Sequence, residues 1–153
     1  MYLCSDTNIW IDFDTVGNLS LPFLLEYEYL MSRDSFDDEL LSPPGLREKL
    51  LRMGLIPVEL NDVELQTIYG FLEKYSSLSV YDLFALAIAR NRGYILLTGD
   101  RNLRKAAMTE GVSVRGTLWV FDQLLEQEHL TREEYFTYMR ILADLNGGKI
   151  RLP

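Results

Sequence analysis

The run Tyr94-Ile95-Leu96-Leu97-Thr98, closed by Gly99-Asp100, is apolar without alternation. A strand of that kind has to be covered on both faces, a demand met by parallel sheets with helices above and below. The rest of the chain reads accordingly. Tyr2 to Ser5 is predicted as a first strand, Tyr27 to Met31 as a second, Ile56 to Leu60 as a third with an edge-type Pro57, and Val112 to Val114 as a short last one. Helices are predicted between them. One begins at Ile9 behind the polar Ser5-Asp6-Thr7-Asn8, a short one covers Leu19 to Leu25, and others cover Asp34 to Leu41 and Leu46 to Met53. Asn61 and Ser79 each cap a longer helix, the second ending near Arg92-Gly93, and a further helix runs from Arg101 to Glu110. Strands joined by helices of this length predict an α/β fold, a three-layer α/β/α sandwich whose parallel sheet has about five strands and right-handed crossovers. Ligands in such sheets bind at the carboxyl ends of the strands.

Two further helices, Leu118 to Glu126 and Thr131 to Leu145, make residues 117–153 a C-terminal helical extension. With 153 residues, 1–153 is expected to be a single domain. No apolar stretch approaches the roughly 20 residues of a membrane span, and Asp6 interrupts the N-terminal run before a signal-peptide core forms, so a cytoplasmic location is expected. Cys4 is the sole cysteine and lies in an apolar strand, which makes it a buried thiol rather than a nucleophile.

Asp6 and Asp100 directly follow predicted strands, and Asp82 sits in the first turn of the helix leading to the second of those strands. Each has an ordinary explanation. Asp6 and Asp100 stand at helix N-caps, and Ser79 to Asp82 has capping-box spacing, worth about 1 kcal/mol without any catalysis. Gathered at one sheet edge, however, like charges raise one another's pKa unless a cation lies between them. Oxygen-only acidic clusters suit Mg²⁺ or Mn²⁺, which activate water and polarise phosphoryl oxygens, the chemistry of a phosphodiesterase.

Three segments carry a family resemblance: Ser5-Asp6-Thr7-Asn8-Ile9-Trp10-Ile11-Asp12, Ser79-Val80-Tyr81-Asp82-Leu83-Phe84-Ala85-Leu86-Ala87, and Leu96-Leu97-Thr98-Gly99-Asp100-Arg101-Asn102-Leu103. In order and spacing they resemble the motifs of PIN domains, and Gly116-Thr117-Leu118-Trp119 with two helices behind it looks like a subgroup with an extended C-terminus. The resemblance implies a metal-dependent endoribonuclease acting with Mg²⁺ or Mn²⁺ on RNA. In many members it implies the toxin of a VapC-type toxin–antitoxin pair, with a cognate antitoxin protein as partner. It also implies a fourth acid on the helix after the second strand. Glu39 fits that place within Asp34-Ser35-Phe36-Asp37-Asp38-Glu39-Leu40-Leu41, and Asp38 is the next candidate; a solvated charged face is the alternative for the whole run.

From the same resemblance Asn8 and Thr98 acquire supporting roles, and Arg101, Arg104 and Lys105 become candidates for RNA phosphate contacts, against the alternatives of ordinary caps and a solvated helix face. Leu118, Trp119, Phe121 and Tyr135 to Met139 suit either a homodimer or antitoxin groove, or simply core. The net charge of -8 argues against a protein that coats nucleic acid, so any phosphate contacts must come from a local basic patch or a partner.

Two other readings compete. Ile9-Trp10-Ile11-Asp12-Phe13-Asp14-Thr15-Val16 resembles the Asp-x-Asp-x-Thr signature of haloacid dehalogenase-like phosphatases, in which Asp12 would be a covalent nucleophile and Asp14 an acid/base. The later acidic motif of that family is only half present in Thr98-Gly99-Asp100-Arg101-Asn102-Leu103-Arg104. The other reading is a catalytically silent PIN-like binding module. A zinc site is excluded by the single histidine, His129, and single cysteine, and no Gly-x-x-x-x-Gly-Lys nucleotide loop exists.

Overall fold

The computed structural model describes residues 1–145. The last part of the expected C-terminal extension, 146–153, lies outside the described residues. Five strands, β1 (Tyr2–Ser5), β2 (Glu28–Ser32), β3 (Ile56–Val58), β4 (Ile95–Leu97) and β5 (Val114–Arg115), form one sheet in the order β3-β2-β1-β4-β5. Every pairing is parallel. The strand order reverses between β1 and β4, where Leu3, Cys4 and Ser5 lie in register with Ile95, Leu96 and Leu97. Chains leave the sheet on opposite faces at such a reversal, which opens a crevice at the carboxyl edge.

Side chains alternate across a strand, and here the alternation fills two cores. Leu3, Tyr29, Met31 and Leu97 face one core, with Trp10 and Phe13 of α1 (Thr7–Thr15), Phe36 of α2 (Arg33–Glu39), Leu46 and Leu50 of α3 (Leu46–Met53) and three side chains of α7 (Thr117–Glu126). Cys4, Leu30 and Leu96 face the other, under α4 (Asp62–Lys74), α5 (Val80–Arg92) and α6 (Arg101–Thr109). The result is the expected three-layer sandwich. Each fully buried large apolar side chain contributes about 1.5 to 3 kcal/mol. Trp10 is also fixed by its indole N–H, which donates to Ser5 Oγ at 2.9 Å.

The last two helices are part of this core. Val120, Phe121 and Leu124 of α7 and Leu142 of α8 (Arg132–Leu145) pack with Leu3 and Trp10. Phe121 stacks on Phe13, while Trp119, Tyr135, Tyr138 and Met139 cover the same cluster from outside. Phe136, on α8, is the apolar residue of that group left exposed. His129 is exposed and Cys4 buried, its thiol donating to the Ala85 carbonyl at 3.6 Å.

Three expectations shift. Leu19 to Leu25 holds only a 3-10 turn, Leu21–Leu24, because Leu25 turns extended toward β2 before an α-turn can propagate. The third strand stops at Val58 instead of Leu60, since its partner β2 ends at Ser32, the N-cap of α2. The last strand is Val114–Arg115 rather than Val112 to Val114, with Val112 buried beneath α5 and α6 before the ladder with Leu96 and Leu97 begins.

Candidate active site

Asp6 and Asp100 emerge beside one another on the carboxyl edge because β1 and β4 are neighbours. The Asp6 backbone N–H donates to the Leu97 carbonyl at 2.9 Å, extending the β1–β4 ladder up to the acid itself. Asp6 occupies the N-cap of α1, yet its side chain makes no capping hydrogen bond. The carboxylate instead accepts from Thr98 Oγ1 at 2.8 Å. It is only 8% exposed, and it forms no ion pair among the described residues. Burial raises its pKa to about 6; the Thr98 hydroxyl opposes the shift, and Asp82 and Glu39 add to it.

Thr98 is the hub of this edge. Its hydroxyl donates to Asp6 and accepts the Asp100 N–H at 3.1 Å, its own N–H donates to the Arg115 carbonyl at 2.9 Å, and its carbonyl accepts from an Nη of Arg104 at 3.3 Å. The residue is wholly buried, so these bonds hold β1, β4, β5 and the start of α6 in one arrangement.

Glu39 ends α2, and Oε1 accepts the Thr7 hydroxyl at 2.7 Å, which aims the carboxylate at the start of α1 next to Asp6. Its pKa is raised by burial, opposed by Thr7 and reinforced by Asp82 and Asp38. Asp38 points elsewhere, accepting the Tyr81 hydroxyl at 2.9 Å. Of the two candidates for the fourth acid, Glu39 is therefore the one that faces the others.

Asp82 closes a capping box: its carboxylate accepts the Ser79 N–H at 3.1 Å while its own N–H donates to Ser79 Oγ. Its pKa is raised by burial, against the Ser79 hydrogen bonds, with Asp100 adding to the rise. Asp100 caps α6 through the Leu103 N–H at 2.8 Å. The capping explanation thus holds for Asp82 and Asp100 and fails for Asp6.

Asp6 and Glu39 both feel Asp82, and Asp82 feels Asp100. Among the described residues, however, no three His, Cys, Asp or Glu side chains stand together closely enough to enclose a metal ion as placed. The donor set is all carboxylate oxygen, the set that hard divalent cations take. The caps of Asp82 and Asp100 each engage one carboxylate oxygen and leave the other outside the cap. In chemistry and location these residues fit such a cation.

Asn8 is exposed on the first turn of α1, and it is Thr7 and Thr98, not Asn8, that hold Asp6 and Glu39. Thr7 sits inside the quoted motif but had no role assigned from sequence; a hydroxyl beside a strand-end acid was the available signal. Arg101 and Lys105 are exposed on α6, while Arg104 is half-buried against Thr98. Asp12 and Asp14 fall in the middle and last turn of α1, and Asp12 accepts the Thr117 hydroxyl at 2.9 Å. A helix where the phosphatase signature needs a strand end removes that reading. A cavity of about 150 Å³ lined by Arg90, Gly93, Tyr94, Glu110 and others lies at the amino end of β4, away from the acids.

The parallel sandwich and its acidic edge are those of a nuclease-type α/β/α domain. The chain belongs to the PIN-domain family: the profile of DUF3368, a PIN domain, matches residues 2–146. PIN domains are generally nucleases that use divalent metals. The fold is similar to that of a solved PilT N-terminus domain protein from the hyperthermophilic archaeon Sulfolobus solfataricus P2, with a TM-score of 0.52 and 13% identity over 82% of this chain and 95% of that one. No curated protein matches the sequence. Among the described residues no helix is long and apolar enough to cross a membrane.

Proposed function

We propose that the protein is a metal-dependent endoribonuclease in which Asp6, Glu39, Asp82 and Asp100 hold Mg²⁺ or Mn²⁺ against an RNA phosphate, and that it is the toxin of a toxin–antitoxin pair. The observation that carries the nuclease reading is Asp6. It is a buried carboxylate at the strand-order reversal, spared from capping, unpaired with any cation among the described residues and repelled by Asp82 and Glu39. A buried charge so placed opposes folding unless a cation neutralises it. A bound divalent ion supplies polarisation of the phosphoryl oxygen and activation of water. The chain's own part is positional. Thr98 and Thr7 fix the directions of Asp6 and Glu39, and Thr98, set beside Asp6 by the β1–β4 ladder, also holds the Asp100 N–H.

The choice of RNA and the toxin role rest on the motif resemblance. Purified protein with Mn²⁺ or Mg²⁺ is expected to cut a labelled single-stranded RNA, with loss of cleavage in Asp6→Asn and Asp100→Asn. Undiminished cutting by both variants would overturn the site assignment. A toxin arrests growth when expressed alone and is relieved by a small protein encoded beside it; absence of arrest removes the toxin role and leaves the nuclease reading in place. The engagement of Asp82 and Asp100 as helix caps is what favours the second reading, a silent binding module. That reading requires no cleavage under any divalent ion.

A further inference from the structure

Arg33, Arg47, Arg90 and Arg92 each pair with a carboxylate. Arg52, Arg101, Arg104, Arg115, Arg132 and Arg140 do not, among the described residues, and of these Arg104 and Arg115 meet at Thr98. The two arginines flank one residue. Thr98 gives its carbonyl to the Arg104 guanidinium and its N–H to the Arg115 carbonyl, and the same residue's hydroxyl holds Asp6. The Arg104 guanidinium therefore sits on the β5 side of the acidic edge, bordered by the Arg115 backbone, while the Arg115 guanidinium turns onto the Val114 carbonyl. Each has one acceptor among the described residues, the Thr98 carbonyl for Arg104 and the Val114 carbonyl for Arg115. A guanidinium carries five N–H donors, so most of the donors on both remain available. Burial lowers the Arg104 pKa, and the neighbouring Arg115 lowers it further, as two like charges without an anion between them would.

From this placement we infer that Arg104 and Arg115 form an anion subsite that grips a backbone phosphate of the nucleic acid strand next to the one held at the four acids. The inference rests on the proposed nuclease function and adds to it the residues that seat the strand. Arg115 takes the place of Arg101 and Lys105 as Arg104's partner, because its backbone carbonyl and the Arg104 guanidinium meet at Thr98. Planar guanidinium forks match phosphate oxygens two at a time, and a half-buried one is already held in position. The subsite also answers the charge problem: an acidic chain needs a local cationic pair beside its carboxylates to hold a polyanion at all.

The test is the salt dependence of binding, read by fluorescence anisotropy with a labelled short single-stranded RNA and Mg²⁺ in the Asp100→Asn background. Each phosphate contact on a single strand contributes about 0.7 to the slope of log affinity against log salt. Arg104→Gln and Arg115→Gln are each expected to lower the slope by about 0.7, and the double variant by about twice that, with the same loss for RNAs of different base order. Arg52→Gln is the control, since Arg52 is exposed in the last turn of α3 and leads into the opposite edge of the sheet. The Arg115 change removes only a side-chain contact to its neighbour's carbonyl, so it tests the subsite without disturbing the core. An unchanged slope in the double variant, or an equal loss in Arg52→Gln, overturns the subsite while leaving the nuclease reading intact. A parent protein that neither binds nor cuts RNA overturns both.

Discussion

Asp6 is where function and stability oppose one another. In an unfolded chain an aspartate titrates near 3.9, and in the fold this one is raised to about 6. The folded state therefore binds the proton more tightly. The stability this contributes to metal-free protein is fully present below about pH 4 and is lost as pH rises through about 6. Asp6→Asn keeps an acceptor for Thr98 and has no charge to bury. At about pH 8 the metal-free variant is expected to be more stable than the parent by about 3 kcal/mol, the excess vanishing toward about pH 4. Paired thermal melts across that range check it. A variant less stable than the parent at the upper end would show that Asp6 is not strained by its burial.

Among the elements, α4 and α5 are joined by an ion pair that the sequence does not reveal. The Glu64 side chain is 0% exposed and closes the capping box of α4 with Asn61, while the Arg92 guanidinium meets it at 2.7 Å from the end of α5. Burial pushes the Glu64 pKa up, but Arg92 and the Asn61 N–H outweigh it and leave it lowered. A lowered carboxyl contributes stability above its unfolded value, about 4.3, and loses it as pH falls through the folded one. Arg92→Met strands the buried carboxylate and is expected to cost about 3 kcal/mol near neutral pH, less in acid where Glu64 takes up a proton. Denaturant melts at two pH values decide it.

The same contrast runs through what was legible in the chain. Strand existence, helix order and the carboxyl-edge positions of Asp6 and Asp100 follow from local patterns, because burial on both faces and capping chemistry are written in neighbouring residues. Beyond β1, strand ends were misplaced by one or two residues, since a strand stops where its partner stops, and β3 takes its end from Ser32. Glu39 was chosen by register with a family and is distinguished from Asp38 only by hydroxyls far away in sequence, Thr7 for one and Tyr81 for the other. Arg115 escaped notice for the same reason: nothing near it in the chain announces that β5 runs beside Thr98.

For the molecule as a whole, the proposed site predicts that metal and fold are coupled. A cation bound only by the folded chain stabilises it by RT ln(1 + [L]/Kd), about 2.7 kcal/mol at a hundred times Kd. Mn²⁺ or Mg²⁺ should therefore raise the melting temperature of the parent and reverse its preference for low pH, yet leave Asp6→Asn nearly unmoved. Equal shifts in both proteins, followed by scanning calorimetry, would place the bound ion somewhere other than the acidic edge.

The reversal of strand order between β1 and β4 has a final consequence. Neighbouring strands stand about 4.8 Å apart wherever the ladder is intact. The spacing of Asp6 from Thr98 is thus a lattice constant of the sheet, and Asp100 is tied to it across Gly99 by the Thr98 hydroxyl. Glu39, at the frayable end of α2, belongs to a separate unit of opening. Asp6 survives in its place as long as the sheet itself, while Glu39 can come and go in a protein that remains folded.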